Sequence, residues 1–119
     1  RKFMKVYLGA DHRGFELKEK LCEFLKSEGY AVFDLGNTHY EQTDDYPDFA
    51  KIVSEKVVAE KGSRGIVICG GGSGVVMAAN KIKGIRAALC RDTRDAKTSR
   101  QHNDANVLCL SAKRTSLFF

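Results

Sequence analysis

The chain has no tryptophan and one proline, Pro47, in 119 residues. Without proline-rich or low-complexity stretches there is no linker, so a single domain over 1–119 is expected. No apolar run approaches the ~20 residues of a membrane-spanning helix, and no membrane partner is expected. A basic start followed by an apolar run and a cleavage site is also missing, which argues against a secretory signal. The four cysteines (Cys22, Cys69, Cys90 and Cys109) are widely spaced, with no CxxC pair and no His–Cys cluster. That pattern excludes a zinc ribbon or finger; no metal is expected, and free thiols suit a reducing cytoplasm. The net charge is +5, yet Lys and Arg are interleaved with Asp and Glu rather than gathered in a basic block. Nucleic-acid binding is therefore not expected, whereas a modest positive surplus suits a small phosphorylated substrate.

What is abundant is glycine, and the 11 glycines are concentrated where they carry most meaning. Gly65-Ile-Val-Ile-Cys-Gly-Gly-Gly-Ser-Gly-Val-Val-Met-Ala-Ala-Asn80 reads as a short buried strand, a loop of four glycines and a serine, and a helix. Such a loop lets backbone N–H groups approach a ligand closely, and the helix start adds unpaired donors. The loop lacks the GxxxxGK[ST] signature, and Val75 stands where GxGxxG requires glycine, so nucleotide binding is weakly supported. Cys69 ends the strand, where open α/β sheets bind ligands, and a thiol beside a helix start is activated as a base or nucleophile. The bland alternative is a small buried hydrophobe before a tight turn.

Strands and helices alternate along the chain. Strands are predicted at Lys5–Gly9, Ala31–Leu35, Ile66–Cys69, Ile85–Cys90 and Asn106–Leu110. A helix over Phe15–Ser27 has an apolar face of Phe15, Leu17, Leu21, Cys22, Phe24 and Leu25 and stops at Gly29. Pro47 opens a second helix whose apolar face is Phe49, Ala50, Ile52, Val53, Val57 and Val58. A third follows the glycine loop, and a fourth, capped by Asp92 or Thr93, runs to about Arg100. Alternation of this kind predicts a three-layer α/β/α domain with a five-stranded parallel sheet. The apolar third, fourth and fifth strands are expected to be covered on both faces. The chain ends soon after the fifth strand, which leaves a face to cover; Leu117, Phe118 and Phe119 are expected to meet a partner chain.

Asp11-His12-Arg13-Gly14 follows the first strand directly and shares an edge with Cys69. Asp11 can serve simply as a helix cap, but two polar side chains at a strand end point to a pocket. Asp44 and Asp48 read as helix N-terminal charges rather than metal ligands, and Tyr46 can present a hydroxyl to a sugar. Ser99-Arg-Gln-His-Asn-Asp-Ala-Asn106 is the densest polar cluster. Its His102 and Asn103 lie at the far end of the fourth helix, on the edge opposite Cys69. There His102 either caps its helix or reaches a Cys69 site across a dimer interface.

These segments, with Asp45-Tyr46-Pro47-Asp48, Ala78-Ala79-Asn80-Lys81 and Gly84-Ile85-Arg86-Ala87, resemble the ribose-5-phosphate isomerase B family. The wider family also holds galactose-6-phosphate isomerase. The likeness runs in order from about Lys5 to Lys113. It implies a Rossmann-like α/β/α sandwich, no metal or cofactor, and homodimers or dimers of dimers whose active sites are shared between subunits. It also implies aldose–ketose exchange of ribose 5-phosphate and ribulose 5-phosphate through a cis-enediolate. Cys69 would move a proton between C2 and C1, and the N–H groups of Gly70, Gly71, Gly72, Ser73 and Gly74 would steady the oxyanion. His102 of the neighbouring subunit would open the sugar ring, Asp11 and Asn103 would hold hydroxyls, and His12 would face the phosphate. Lys113 stands where the family has arginine, and Gly71 where it has threonine or serine. The family continues into a C-terminal helix that this chain is expected to lack. Two alternatives follow from those departures: a six-carbon substrate (allose or galactose 6-phosphate), or a non-catalytic sugar-phosphate-binding protein.

Overall fold

Every strand of the sheet runs parallel to its neighbours. The computed structural model describes residues 4–36 and 46–113. β1 (Lys5–Ala10) leads through a 3-10 turn (His12–Gly14) into α1 (Phe15–Ser27), and β2 (Ala31–Asp34) follows. α2 (Tyr46–Ala59), β3 (Arg64–Cys69) and α3 (Ser73–Ala79) form the middle of the chain. β4 (Ala87–Leu89), α4 (Thr93–Asn103) and β5 (Val107–Ser111) complete the described residues. The strands lie in the order β2-β1-β3-β5-β4, and the α/β/α sandwich and its parallel sheet match the alternation in the sequence.

The sheet separates two apolar cores. On one face Ala50, Val53 and Val57 of α2 and Val75 and Ala79 of α3 pack on Tyr7, Val67 and Cys109. On the other, Cys22 of α1, flanked by Leu17, Leu21 and Leu25, packs on Val6, Leu8, Ile66 and Ile68. Leu8, Val67 and Ile68 have no exposed surface. Each such side chain contributes about 1.5–3 kcal/mol by leaving water, which makes β1 and β3 the rigid centre of the molecule.

Several boundaries and faces differ from the sequence reading. Phe24 (57% exposed), Ile52 (42%) and Val58 (48%) lie outside the buried stripes, because a helix resting on one sheet buries only about a third of its circumference. β4 is three residues long and half-buried, since it is the sheet's edge rather than a covered inner strand. α4 runs three residues past Arg100, capped by Asp92, whose carboxylate accepts from Asp95 N–H at 2.8 Å. Lys18 is fully buried within α1, its Nζ donating to Asp34 Oδ2 at 2.7 Å and to Glu19 Oε2 at 3.0 Å. The expectation about Leu117, Phe118 and Phe119 lies outside the described residues.

Candidate active site

The strand order creates the site. α1, which follows β1, lies on one face of the sheet, and α3, which follows β3, lies on the other. β1 and β3 are hydrogen-bonded neighbours, so the chain leaves their carboxyl ends in opposite directions and opens a crevice between them. Asp11 N–H donates to Ile68 O at 3.3 Å and ties the two strand ends together.

Cys69 sits at that crevice as the last residue of β3, 6% exposed. The loop folds back over it: Gly72 N–H donates to Cys69 Sγ at 3.1 Å. This closure requires glycine, because Gly72 has φ 89° and a Cβ there would lie 2.6 Å from Leu89 Cδ1. The loop is pinned from β5, where Ala112 N–H donates to Cys69 O at 2.9 Å and Ser111 Oγ donates to Gly70 O at 2.7 Å. Among the described residues nothing accepts from the N–H groups of Gly71, Ser73 and Gly74. Gly71 and Ser73 are exposed and Gly74 is half-buried, so three donors remain for an anion beside the thiol. Among the described residues nothing lies within 4 Å of where a Cβ on Gly71 would be.

The other three thiols are placed differently. Burial, and then the charge of Asp34, pushes Cys22 up to about 11. Burial likewise raises Cys90 and, more strongly, Cys109. These three stay protonated near neutral pH and act as core residues.

Asp11 is buried and caps the 3-10 turn, its Oδ1 accepting from Arg13 N–H at 3.0 Å and Gly14 N–H at 3.2 Å. His12, half-buried, leads the same turn with its Nδ1 out of solvent. Lys113 is exposed and reaches the loop through its N–H, which donates to Gly70 O at 3.3 Å. Tyr46 opens α2; its side chain lies outside the description. His102 and Asn103 end α4 and are exposed; Arg86 Nε donates to Asn103 O. Their end of α4 leads into Val107, the start of β5, which pairs with Gly65 at the start of β3. They therefore sit at the edge opposite Cys69, as the topology requires, and one chain does not bring them to it.

Two residues escaped the sequence reading. Ser111 lay just outside the strand read as Asn106–Leu110 and was given no role, but its hydroxyl anchors the glycine loop. Arg13 was only part of a motif, yet its side chain lies across Gly70: a Cβ there would stand 2.7 Å from Arg13 Cδ. The signal was a bulky cation at one strand end and a missing side chain at the next.

Among the described residues no three His, Cys, Asp or Glu side chains gather to hold a metal, and no helix is long and apolar enough to cross a membrane. An apolar groove of about 400 Å³ lies between α1 and α4 at the other end of the strands, lined by Met4, Leu25, Ile66, Ala96 and Leu108. It has no thiol, carboxylate or imidazole in its walls, so it offers no side chain for proton transfer.

A parallel Rossmann-like sheet with a thiol under an N–H-lined glycine loop at its switch point defines a small-molecule α/β protein with an anion-receptive site. Within that class the chain belongs to the Ribose/Galactose Isomerase family, whose model matches residues 6–117. It is 49% identical over 108 residues to a probable ribose-5-phosphate isomerase B of Mycoplasma pneumoniae, covering 91% of this chain and 71% of that one. The enzyme of the same name from Mycobacterium tuberculosis is 43% identical over 110 residues, covering 92% and 68%. Among solved structures, ribose-5-phosphate isomerase B of Clostridium thermocellum superposes with a TM-score of 0.92 at 48% identity, over 97% of this chain and 77% of that one. The Mycoplasma genitalium enzyme with bound ribulose-5-phosphate gives 0.90 at 45% identity, over 95% and 75%.

Proposed function

We propose that the chain interconverts ribose 5-phosphate and ribulose 5-phosphate, with Cys69 as the proton-transfer group. The observation that carries this reading is the Cys69 sulfur beneath Gly72 N–H, beside three loop N–H groups with no acceptor among the described residues. The thiolate removes the C2 proton of the open-chain aldose, and the C–H electron pair forms the C1–C2 double bond. The aldehyde π pair moves to O1 and yields the cis-enediolate. Loop donors aimed at O1 stabilise this developing charge, typically the largest electrostatic contribution to such steps. Transfer of the O2 proton to O1 and return of the Cys69 proton to C1 give the ketose. No redox partner is needed, because C1 is reduced as C2 is oxidised. Asp11 would hold a hydroxyl, and His12 and Lys113 would face the phosphate.

His102 and Asn103 would join this site from a second copy of the chain. Their place at the opposite sheet edge supports a homodimer with shared sites, and a dimer of dimers is compatible with it. His102 would act as the acid and base that opens the furanose ring, and Asn103 would hold a hydroxyl. The test is turnover of ribose 5-phosphate in heavy water, followed by NMR. Ribulose 5-phosphate carrying deuterium at C1 is the expected product, and Cys69→Ala should lose at least ~10³-fold in rate with its fold intact. Full activity of Cys69→Ala would overturn the assignment of the base.

The open space at Gly71 favours a second reading, a six-carbon substrate. Comparing kcat/KM for allose 6-phosphate and ribose 5-phosphate decides between the two; a higher value for the six-carbon sugar would displace the first.

A further inference from the structure

Arg13 occupies a position that the isomerase chemistry above leaves unused. It lies one residue past His12 in the turn after β1, and its N–H is fixed by the buried Asp11 carboxylate. From there the side chain crosses the glycine loop beside the catalytic thiol. A Cβ on Gly70 would lie 2.7 Å from Arg13 Cδ, 3.3 Å from Nη1 and 3.6 Å from Cβ, so only glycine at position 70 leaves this path open. Arg13 is exposed, and among the described residues no carboxylate comes within ion-pair distance of it. On the other side of Gly70, the extension of β5 brings in Lys113. The Arg13 side chain thus approaches the loop from the β1 side, and the backbone of Lys113 from the β5 side. A lysine ammonium is a point charge, whereas a guanidinium offers the planar fork that matches two phosphate oxygens.

We infer that Arg13 is a further specificity-determining residue, its guanidinium receiving the phosphate of the sugar at the Gly70 rim of the Cys69 site. The inference rests on the isomerase reading for its substrate, and on geometry alone for the placement of the cation. An arginine that only shields Gly70 from water would treat phosphorylated and plain sugars alike. One acting on the reacting carbons would also affect both equally.

The experiment compares Arg13→Ala, Arg13→Gln and Arg13→Lys with the unaltered protein on ribose 5-phosphate and on unphosphorylated ribose. Binding of inorganic phosphate is measured in parallel by calorimetry. Loss of one charge-assisted contact predicts a fall in kcat/KM for ribose 5-phosphate of about 10- to 100-fold in Arg13→Ala and Arg13→Gln, mainly through KM. Ribose should change less than about twofold, phosphate affinity should fall by the same factor as kcat/KM, and Arg13→Lys should recover part of both. Unchanged phosphate affinity in folded Arg13→Ala and Arg13→Gln overturns the inference, as does an equal loss on both sugars. Should the unaltered protein turn over neither sugar, the isomerase reading fails, and the phosphate titration still decides the role of Arg13.

Discussion

At the level of single residues, the glycine loop contains three positions with different demands. Gly72 needs both its positive φ and its missing side chain, because Leu89 Cδ1 lies 2.6 Å from where a Cβ would go. Gly72→Ala should destabilise the protein by about 1–3 kcal/mol in urea unfolding and slow turnover, because its N–H would leave Cys69 Sγ. Gly71 is the contrast: among the described residues nothing stands within 4 Å of its Cβ position, so Gly71→Ser should change stability by less than about 0.5 kcal/mol in the same experiment. Gly70 lies between the two. Its Cβ would strike the flexible end of Arg13, so Gly70→Ala should leave the fold intact and raise KM for the phosphorylated sugar. Thiol labelling separates Cys69 from the rest. With Cys22 pushed up to about 11 and Cys90 and Cys109 also raised by burial, iodoacetamide near neutral pH should label Cys69 first. Peptide mapping showing Cys22 or Cys109 labelled ahead of it would contradict that assignment.

At the level of elements, α1 carries an ion pair that holds β2 and the start of its following loop. Lys18 Nζ reaches Asp34 at 2.7 Å, and Asp34 Oδ1 in turn accepts from Gly36 N–H at 3.1 Å. Burial alone would lower the Lys18 pKa, but the hydrogen bonds to Asp34 and Glu19 outweigh it and the net shift is upward. Its stabilisation is therefore complete below the unfolded value of 10.5 and lost as pH rises through the higher folded value. Glu19, lowered chiefly by its bond to Lys18, acts in the other direction: its part is present above 4.5 and lost as pH falls through the folded value. Lys18→Met should cost about 3 kcal/mol by leaving Asp34 unpaired, and that cost should be flat from about pH 6 to pH 9 in urea titrations. A cost that vanished at pH 9 would reverse the sign assigned to Lys18.

The same helix shows what the sequence could and could not disclose. The span Phe15–Ser27 was readable from its periodicity. Lys18, three residues after Phe15 and four before Cys22, occupies the apolar face, but only tertiary structure supplies Asp34, 16 residues on. Periodicity also widened the stripes to include Phe24, Ile52 and Val58, because it marks apolar residues without saying how much of a helix the sheet covers. For the sheet, parallel pairing was legible, whereas the insertion of β5 between β3 and β4 was not; an apolar run looks the same at an edge as in the middle. Of the site, Asp11, Cys69 and the glycine loop could be found as strand ends. Arg13 could not, because its meaning depends on β1 and β3 being neighbours.

At the level of the molecule, the decisive fact is the distance between Cys69 and His102. β3 from Gly65 to Cys69 spans about 13 Å, and His102 lies beyond the Gly65 end, so no hydrogen bond can join them within one chain. If both serve one reaction, each site must take Cys69 from one subunit and His102 from another. Mixing two inactive proteins, Cys69→Ala and His102→Asn, tests this directly. In a hybrid dimer one site would carry both lesions and the other neither, so subunit exchange should restore activity. With random pairing half of the dimers are hybrids with one intact site each, which gives about a quarter of the unaltered rate. Recovery at that level, with sedimentation showing dimers, requires shared sites. Dimers that exchange subunits and stay inactive would show that the sites are not shared, and the inactivity of His102→Asn would then trace to damage at the carboxyl end of α4 rather than to the reaction itself.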